Sequence, residues 1–190
     1  MDRLACKRQV WTALAAGEEQ DLHQAVWDVT LNELHSGSCS YRQALLDALD
    51  VTAVTDAAST IKLLQRYIQL AQSGSSQAQC FAGVLLCFHS PLDGHGGAHQ
   101  HSQGFRYLLS SHYQHNNLAT LFLALCYEAA RGTGRSVESA LECYQTAFTR
   151  GYQIAHILFL ESSRDHGAGA GGTSAAVTQV SERPRHRAAA

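Results

Sequence analysis

Apolar residues recur at intervals of three and four along most of the chain, a spacing that places them on one face of an α-helix. In residues 41–49 the apolar stripe is Tyr41, Leu45 and Leu49, and Ser40 stands where a helix cap is expected. Similar stripes predict further helices, over 8–16, 18–35, 56–72, 76–88, 103–115, 117–130, 137–150 and 152–161. The pattern therefore predicts an all-α fold.

Two stretches lack this periodicity. Residues 89–98 contain one proline and three glycines, a composition that predicts a loop between two helices. From Ser162 onward, glycines alternate with Ala, Ser and Thr, and such a segment buries too little apolar surface to offset the entropy of ordering. We therefore expect an N-terminal helical capping region at 1–55, a helical module at 56–161 and a disordered tail at 162–190.

The helical module repeats itself. Ala78, Ala119 and Ala155 each follow a turn and each begin an apolar helix, at separations of 41 and 36 residues. The helix before each of these alanines carries an aromatic residue and then small residues, and the corresponding positions are Tyr67 and Leu70, Tyr107 and Ser110–Ser111, and Tyr144 and Ala147. A single helix pair cannot cover its own apolar face, so stacked pairs would form one continuous core.

Residues 117–155 carry a recognisable series of small, aromatic and glycine positions, which are Ala119, Leu123, Tyr127, Gly132, Ala140, Tyr144, Ala147 and Gly151, with Ala155 beginning the next unit. This series resembles the Sel1-like repeat, a relative of the tetratricopeptide repeat, although Ala124 and Ala130 replace two glycines of the family pattern. The resemblance implies a short right-handed α-solenoid of antiparallel helix pairs, with Leu123 and Tyr127 in its core.

Charge and hydropathy exclude several classes of partner. The formal net charge is −2, and only 16% of residues are charged, so no strong field attracts nucleic acid or an anionic membrane. No apolar run approaches the roughly 20 residues that a bilayer span requires, and no secretory signal is evident at the start. We expect a cytoplasmic protein without a membrane span, whose six cysteines are reduced thiols.

Histidines are concentrated between residues 89 and 115, where six occur within 27 residues. Histidine is the commonest metal ligand, so His95, His99 and His101 are candidate ligands for zinc or copper. A polar loop between repeat helices explains the same composition, and neither cysteine ligands nor a fixed ligand spacing accompanies it. We expect no cofactor, and we keep metal binding by the His-rich loop 89–115 as the alternative function.

The sequence contains no nucleophile elbow, no H-E-x-x-H and no dinucleotide-binding fingerprint, so we expect that the chain is not an enzyme. Sel1-like proteins mostly assemble complexes, including complexes in ER-associated degradation, signalling and mitochondrial biogenesis. The resemblance therefore implies an adaptor or scaffold. Its concave surface, lined by the first helix of each pair, would bind a peptide or a helix of a protein partner.

Overall fold

A computed structural model describes residues 8–13, 24, 40–49, 57–88 and 97–167. Within these ranges the chain is helical and contains no strand, which confirms the predicted all-α class. Residues 8–13 are helical, and the following helices are α1 Tyr41–Leu49, α2 Ala57–Gln72, α3 Ser76–Phe88, α4 Gly97–Tyr113, α5 Asn117–Ala129, α6 Val137–Thr149 and α7 Gln153–Gly167. The predicted helix 18–35, except Gln24, and most of the predicted loop 89–98, including His95, lie outside the described residues.

Helices α2 to α7 are packed as neighbouring pairs along the chain. Each of them contacts the next, α3 also contacts α5, and α1 contacts α7. The turns before α3 and α7 contain glycines with positive φ, Gly74 at 93° and Gly151 at 96°, a backbone conformation that favours glycine. These short turns reverse the chain, so that consecutive helices lie side by side around one apolar core.

Helices α3 and α5 are buried almost throughout, whereas α4 and α6 are exposed on one side. Residues 78–88 of α3 and 118–126 of α5 are all buried, so these two helices have neighbours on every side. Helices α4 and α6 bury only one face, with buried side chains separated by four and then three residues, which are Gly104, Leu108 and Ser111 in α4 and Ala140, Tyr144 and Ala147 in α6. This shared spacing supports the internal repetition that the sequence predicted.

The predicted correspondence between Tyr107 and Tyr144 is wrong by one residue. Leu108 is fully buried like Tyr144, whereas Tyr107 packs only against the margin of the core. The cause is a close approach of α4 to α3, because a Cβ added to Gly104 would lie 2.6 Å from the Cys87 sulfur. Gly104 must therefore face α3, and this contact turns Leu108 inward.

Two predicted boundaries are also wrong. Helix α4 begins at Gly97 rather than near Gln103, so much of the predicted His-rich loop is helical. Helix α7 continues to Gly167, through the first six residues of the predicted disordered tail. In both places contacts with distant parts of the chain stabilise a helix that the local composition does not predict. The carbonyl of His101 in α4 accepts a hydrogen bond from Cys87. Ser162 in α7 is completely buried.

Among the helices described, none combines the length and the apolar character that crossing a membrane would require.

Candidate interaction surface

The first helix of each predicted pair is α3, α5 or α7, and these helices are predicted to line the concave binding surface. In the structure they contact N-terminal segments of the same chain. The ring of Trp11 packs edge-on against Phe81 of α3, with ring centroids 5.5 Å apart, and α1 packs on α7. We call the surface of α5 and α7 beside α1 the inner face and define it by Leu125, Glu128, Glu161 and Asp165.

Glu161 caps the N-terminus of α1. The backbone N–H groups of Tyr41 and Arg42 donate hydrogen bonds of 2.7 and 2.9 Å to the two carboxylate oxygens of Glu161. Helix N-terminal amides have no partner within their own helix, and the helix dipole there favours a negative charge. The predicted cap, Ser40, also accepts a hydrogen bond, from the Gln43 amide at 3.2 Å. The start of α1 is therefore held both locally and by α7.

The side chain of Arg42 joins α1 to both α5 and α7. Its guanidinium donates a hydrogen bond of 3.2 Å to Glu128 and another to Asp165. Burial lowers the pKa of Arg42, but the hydrogen bond to Asp165 and the charges of Glu128 and Asp165 outweigh this effect, so the pKa is raised overall. Arg42 is thus a fully charged residue placed between two carboxylates.

Glu128 is held in position independently of α1. The hydroxyl of Tyr144, on α6, donates a 2.8 Å hydrogen bond to the Glu128 carboxylate, and the Glu128 side chain is only 8% exposed. Burial, and then the charge and hydrogen bond of Glu128, raise the pKa of the Tyr144 phenol. The signature residue Tyr144 therefore fills the core and also orients a carboxylate at the inner face.

A cavity of about 400 Å³ lies beside α1. Its walls come from α1, α5, α7 and the turn before α6, and the lining residues are Arg42, Leu46, Leu125, Glu128, Ala129, Arg135, Asp165 and His166. His166 bonds the carbonyl of Ser162 through Nδ1 and contacts the guanidinium of Arg135 through Nε2, both at 2.8 Å. Helix α1 therefore occupies the inner face without filling it.

The predicted repeat-signature residues have structural roles. The fully or almost fully buried members are Ala119, Leu123, Ala140, Tyr144, Ala147 and Ala155. Gly132 and Gly151 have positive φ, as turn residues should. Tyr127 differs from the expectation, because it is only partly buried and packs edge-on against Phe105 with 5.4 Å between ring centroids. The inner face adjoins this buried set but consists of different residues.

The histidine candidates are not brought together in the part of the chain that the structure describes. His99 and His101 lie two residues apart on α4, a separation that points side chains away from each other on a helix. No group of three or more potential ligands occurs among the described residues. The predicted ligand set of His95, His99 and His101 therefore receives no support from the described geometry.

The four cysteines in the described ranges are free thiols. Burial raises the pKa of Cys80, and burial together with a contact to Cys87 raises that of Cys126. Burial, and then the charge of Glu142, raise the pKa of Cys143 to about 11. The thiols of Cys80, Cys126 and Cys143 are therefore neutral at physiological pH and act as small apolar groups in or beside the core.

Alkaline pH is expected to destabilise the fold through these thiols. Because their pKa values are raised in the folded state, their contribution is fully present below the unfolded pKa of about 8.5 and is lost as the pH rises through the folded values, about 11 for Cys143. Urea unfolding at pH 7.5, 9 and 10.5 should show the free energy of unfolding falling, and the share of Cys143 in this loss should be on the order of 2 kcal/mol. The variant Cys143→Ala should lose less over this range, and an equal loss would contradict the role given to Cys143.

The described residues thus define an all-helical protein of packed helix pairs, with an inner face that holds a helix. No protein family model matches the sequence, and no solved structure matches it. A mouse protein, DAP3-binding cell death enhancer 1, is 31% identical to the chain over 87 residues. The match covers 46% of the chain and 16% of that relative, so the chain spans a small part of the relative's length.

Proposed function

We propose that this chain is a protein-interaction adaptor, built as a Sel1-like α-solenoid, and that the inner face is its binding surface. The observation that carries the proposal is the docking of α1, in which Glu161 caps a helix N-terminus and Glu128 and Asp165 pair with its arginine. A surface with these groups is suited to binding a helix. The chain works by recognition, without a catalytic step, in the cytoplasm.

The name of the mouse relative supports this proposal, since it describes a protein that binds DAP3. The matched segment is a small part of that relative, and the part that contacts DAP3 is not specified by the name. DAP3 is nevertheless the first partner to test, because it is the one protein that the similarity names.

A photo-crosslinking experiment tests the proposal. A benzophenone amino acid is placed at Ala129, which lines the cavity at the inner face, or at Gln145, which is exposed on α6. We expect purified DAP3 to form a discrete adduct with the Ala129 variant and little adduct with the Gln145 variant. Both variants must melt like the original chain.

Equal adducts at the two positions would place binding elsewhere on the surface. If DAP3 gives no adduct, the same two variants are tested by irradiation in cells, followed by identification of adducts. Discrete protein adducts at position 129 alone would support the adaptor function with another partner. Their absence from both positions would contradict it.

A further inference from the structure

We propose that the inner face is a helix-accepting groove, that α1 occupies it in the isolated chain, and that an amphipathic helix of a partner replaces α1. This inference rests on the proposed function, and it adds the chemistry of the partner helix and the way in which access to the site is controlled. The partner helix repeats the pattern of α1: apolar residues lie at a first position and at the fourth and eighth residues after it. An arginine directly follows the first apolar residue.

Helix α1 depends on its contacts with the groove to remain helical. Helix α1 has nine residues, and a helix of that length is only marginally formed on its own in water. Its buried side chains are Tyr41, Leu45 and Leu49, which lie four residues apart on one stripe. Such a stripe is the usual pattern of a helical ligand in an apolar groove. Once released, α1 keeps only its local cap from Ser40 and loses the hydrogen bonds to Glu161 and its apolar contacts, so we expect it to unfold.

The groove keeps its shape when α1 leaves. Glu161 and Asp165 lie four residues apart on α7, which packs against α6. Glu128 lies on the buried helix α5, and its carboxylate is oriented by Tyr144 of α6. None of these supports comes from α1. The acceptor groups are therefore arranged in advance for an incoming helix.

The charges determine what can replace α1. Departure of Arg42 would leave Glu128, whose side chain is 8% exposed while α1 is in place, with its bond from Tyr144 but without its cation. Covering Glu128 again with a neutral segment would bury an uncompensated charge, which is costly. A replacement must therefore supply a cation at the same place, and it must present free N-terminal amides to Glu161. A neutral apolar segment does neither, so an extended apolar peptide is excluded as the occupant.

The unfilled cavity gives a partner an advantage over α1. Leu46 of α1 borders the space of about 400 Å³ next to Leu125 and Ala129. A helix with an aromatic side chain at the position of Leu46 would fill part of this space and bury additional apolar surface. The groove is therefore expected to bind such a helix more tightly than it binds the sequence of α1.

A peptide-exchange experiment tests the inference. The probe is a fluorescein-labelled peptide of residues 40–50, and the receptor is the full chain with or without Leu45→Asp, which disables its own α1. Fluorescence anisotropy should show at least tenfold tighter binding to the Leu45→Asp chain than to the original chain. The peptide with Leu46→Trp should bind more tightly than the unmodified peptide, and Arg42→Ala in the peptide should weaken binding at least tenfold.

Equal binding of the peptide to both chains, or undiminished binding of the Arg42→Ala peptide, would overturn the inference. If Leu45→Asp impairs folding, as far-ultraviolet circular dichroism would reveal, hydrogen exchange on the original chain decides. We expect the amides of α1 to exchange at least 100-fold faster than those of α5. Exchange of α1 as slow as that of α5 would identify α1 as a permanent part of the core.

The two proposals fail separately. If DAP3 crosslinks at Ala129 with the same yield in the presence and absence of Leu45→Asp, the adaptor function stands and the replacement of α1 is wrong. If the peptide exchanges as expected but no protein adduct forms at Ala129, the groove accepts helices and the adaptor function is wrong.

Discussion

Replacing Leu123 by aspartate is expected to abolish the folded structure. Leu123 is 1% exposed and lies in the middle of α5, within the uninterrupted buried run 118–126. A carboxylate at this position would have to be ionised without a partner or protonated at a cost of several kcal/mol. That cost is comparable with the whole stability of a domain, about 5–15 kcal/mol. Circular dichroism at 25 °C should show a loss of most helical signal and of cooperative melting.

The matched control is Leu160→Asp. Leu160 lies on α7 and is 41% exposed, so its aspartate can be hydrated and should change stability by at most about 1 kcal/mol. Leu123→Asp and Leu160→Asp make the same chemical change, and the two positions differ in how far the side chain is buried. A cooperative melt of the Leu123→Asp chain at the original temperature would contradict the burial of α5 and the repeat register derived from it.

Most of the helices could be predicted from local pattern because their ends carry local signals. Ser40 predicts the start of α1, and its hydroxyl does accept a hydrogen bond from the amide three residues further on. Asn116 and Ser136 act in the same way for α5 and α6. At these positions the hydrogen bonds are formed within a few residues, so the sequence contains all of the relevant information.

Composition gives the wrong helix boundaries where contacts between residues distant in sequence determine the structure. The segment 162–167 has the glycine, serine and charged residues of a tail, yet Asp165 pairs with Arg42, which is 123 residues away in sequence. A local pattern cannot reveal a contact of this kind. The beginning of α4 is unpredictable from composition for a similar reason, since His101 packs against the turn at Gly132 and the end of α3.

The inner face was the least predictable part of the molecule. The stripe of Tyr41, Leu45 and Leu49 predicted that α1 buries one side, but such a stripe fits any apolar groove. Glu161 and Asp165, spaced for one face of a helix, were the available signal of an acidic site on α7. The predicted N-terminal capping region could not be placed on the concave surface in advance, because the predicted helices carry no information about their relative positions.

Replacing Gly132 by alanine is expected to be the most damaging of the glycine substitutions in the turns. Gly132 has φ of 73°, and an L-residue in this conformation costs about 1–2 kcal/mol. A Cβ there would also collide with the backbone carbonyl of His101 and lie 2.9 Å from Cβ of Phe105. Backbone cannot move aside like a flexible side chain, so the combined loss should be about 3 kcal/mol, equivalent to a melting temperature lower by about 10 °C.

Substitutions at two further glycines separate the cost of the backbone conformation from the cost of the steric collision. Gly151 has φ of 96° and no atom within 4 Å of a built Cβ, so Gly151→Ala should show the backbone cost alone, about 1 kcal/mol. Gly134 also has open space around it and no positive φ, so Gly134→Ala should be nearly neutral. Thermal melting of the three variants should therefore rank them as Gly132, Gly151 and Gly134 in decreasing loss. Gly132→Ala and Gly151→Ala share only the cost of the backbone conformation. Equal losses of stability for the two variants would therefore contradict the close contact between the turn at Gly132 and α4.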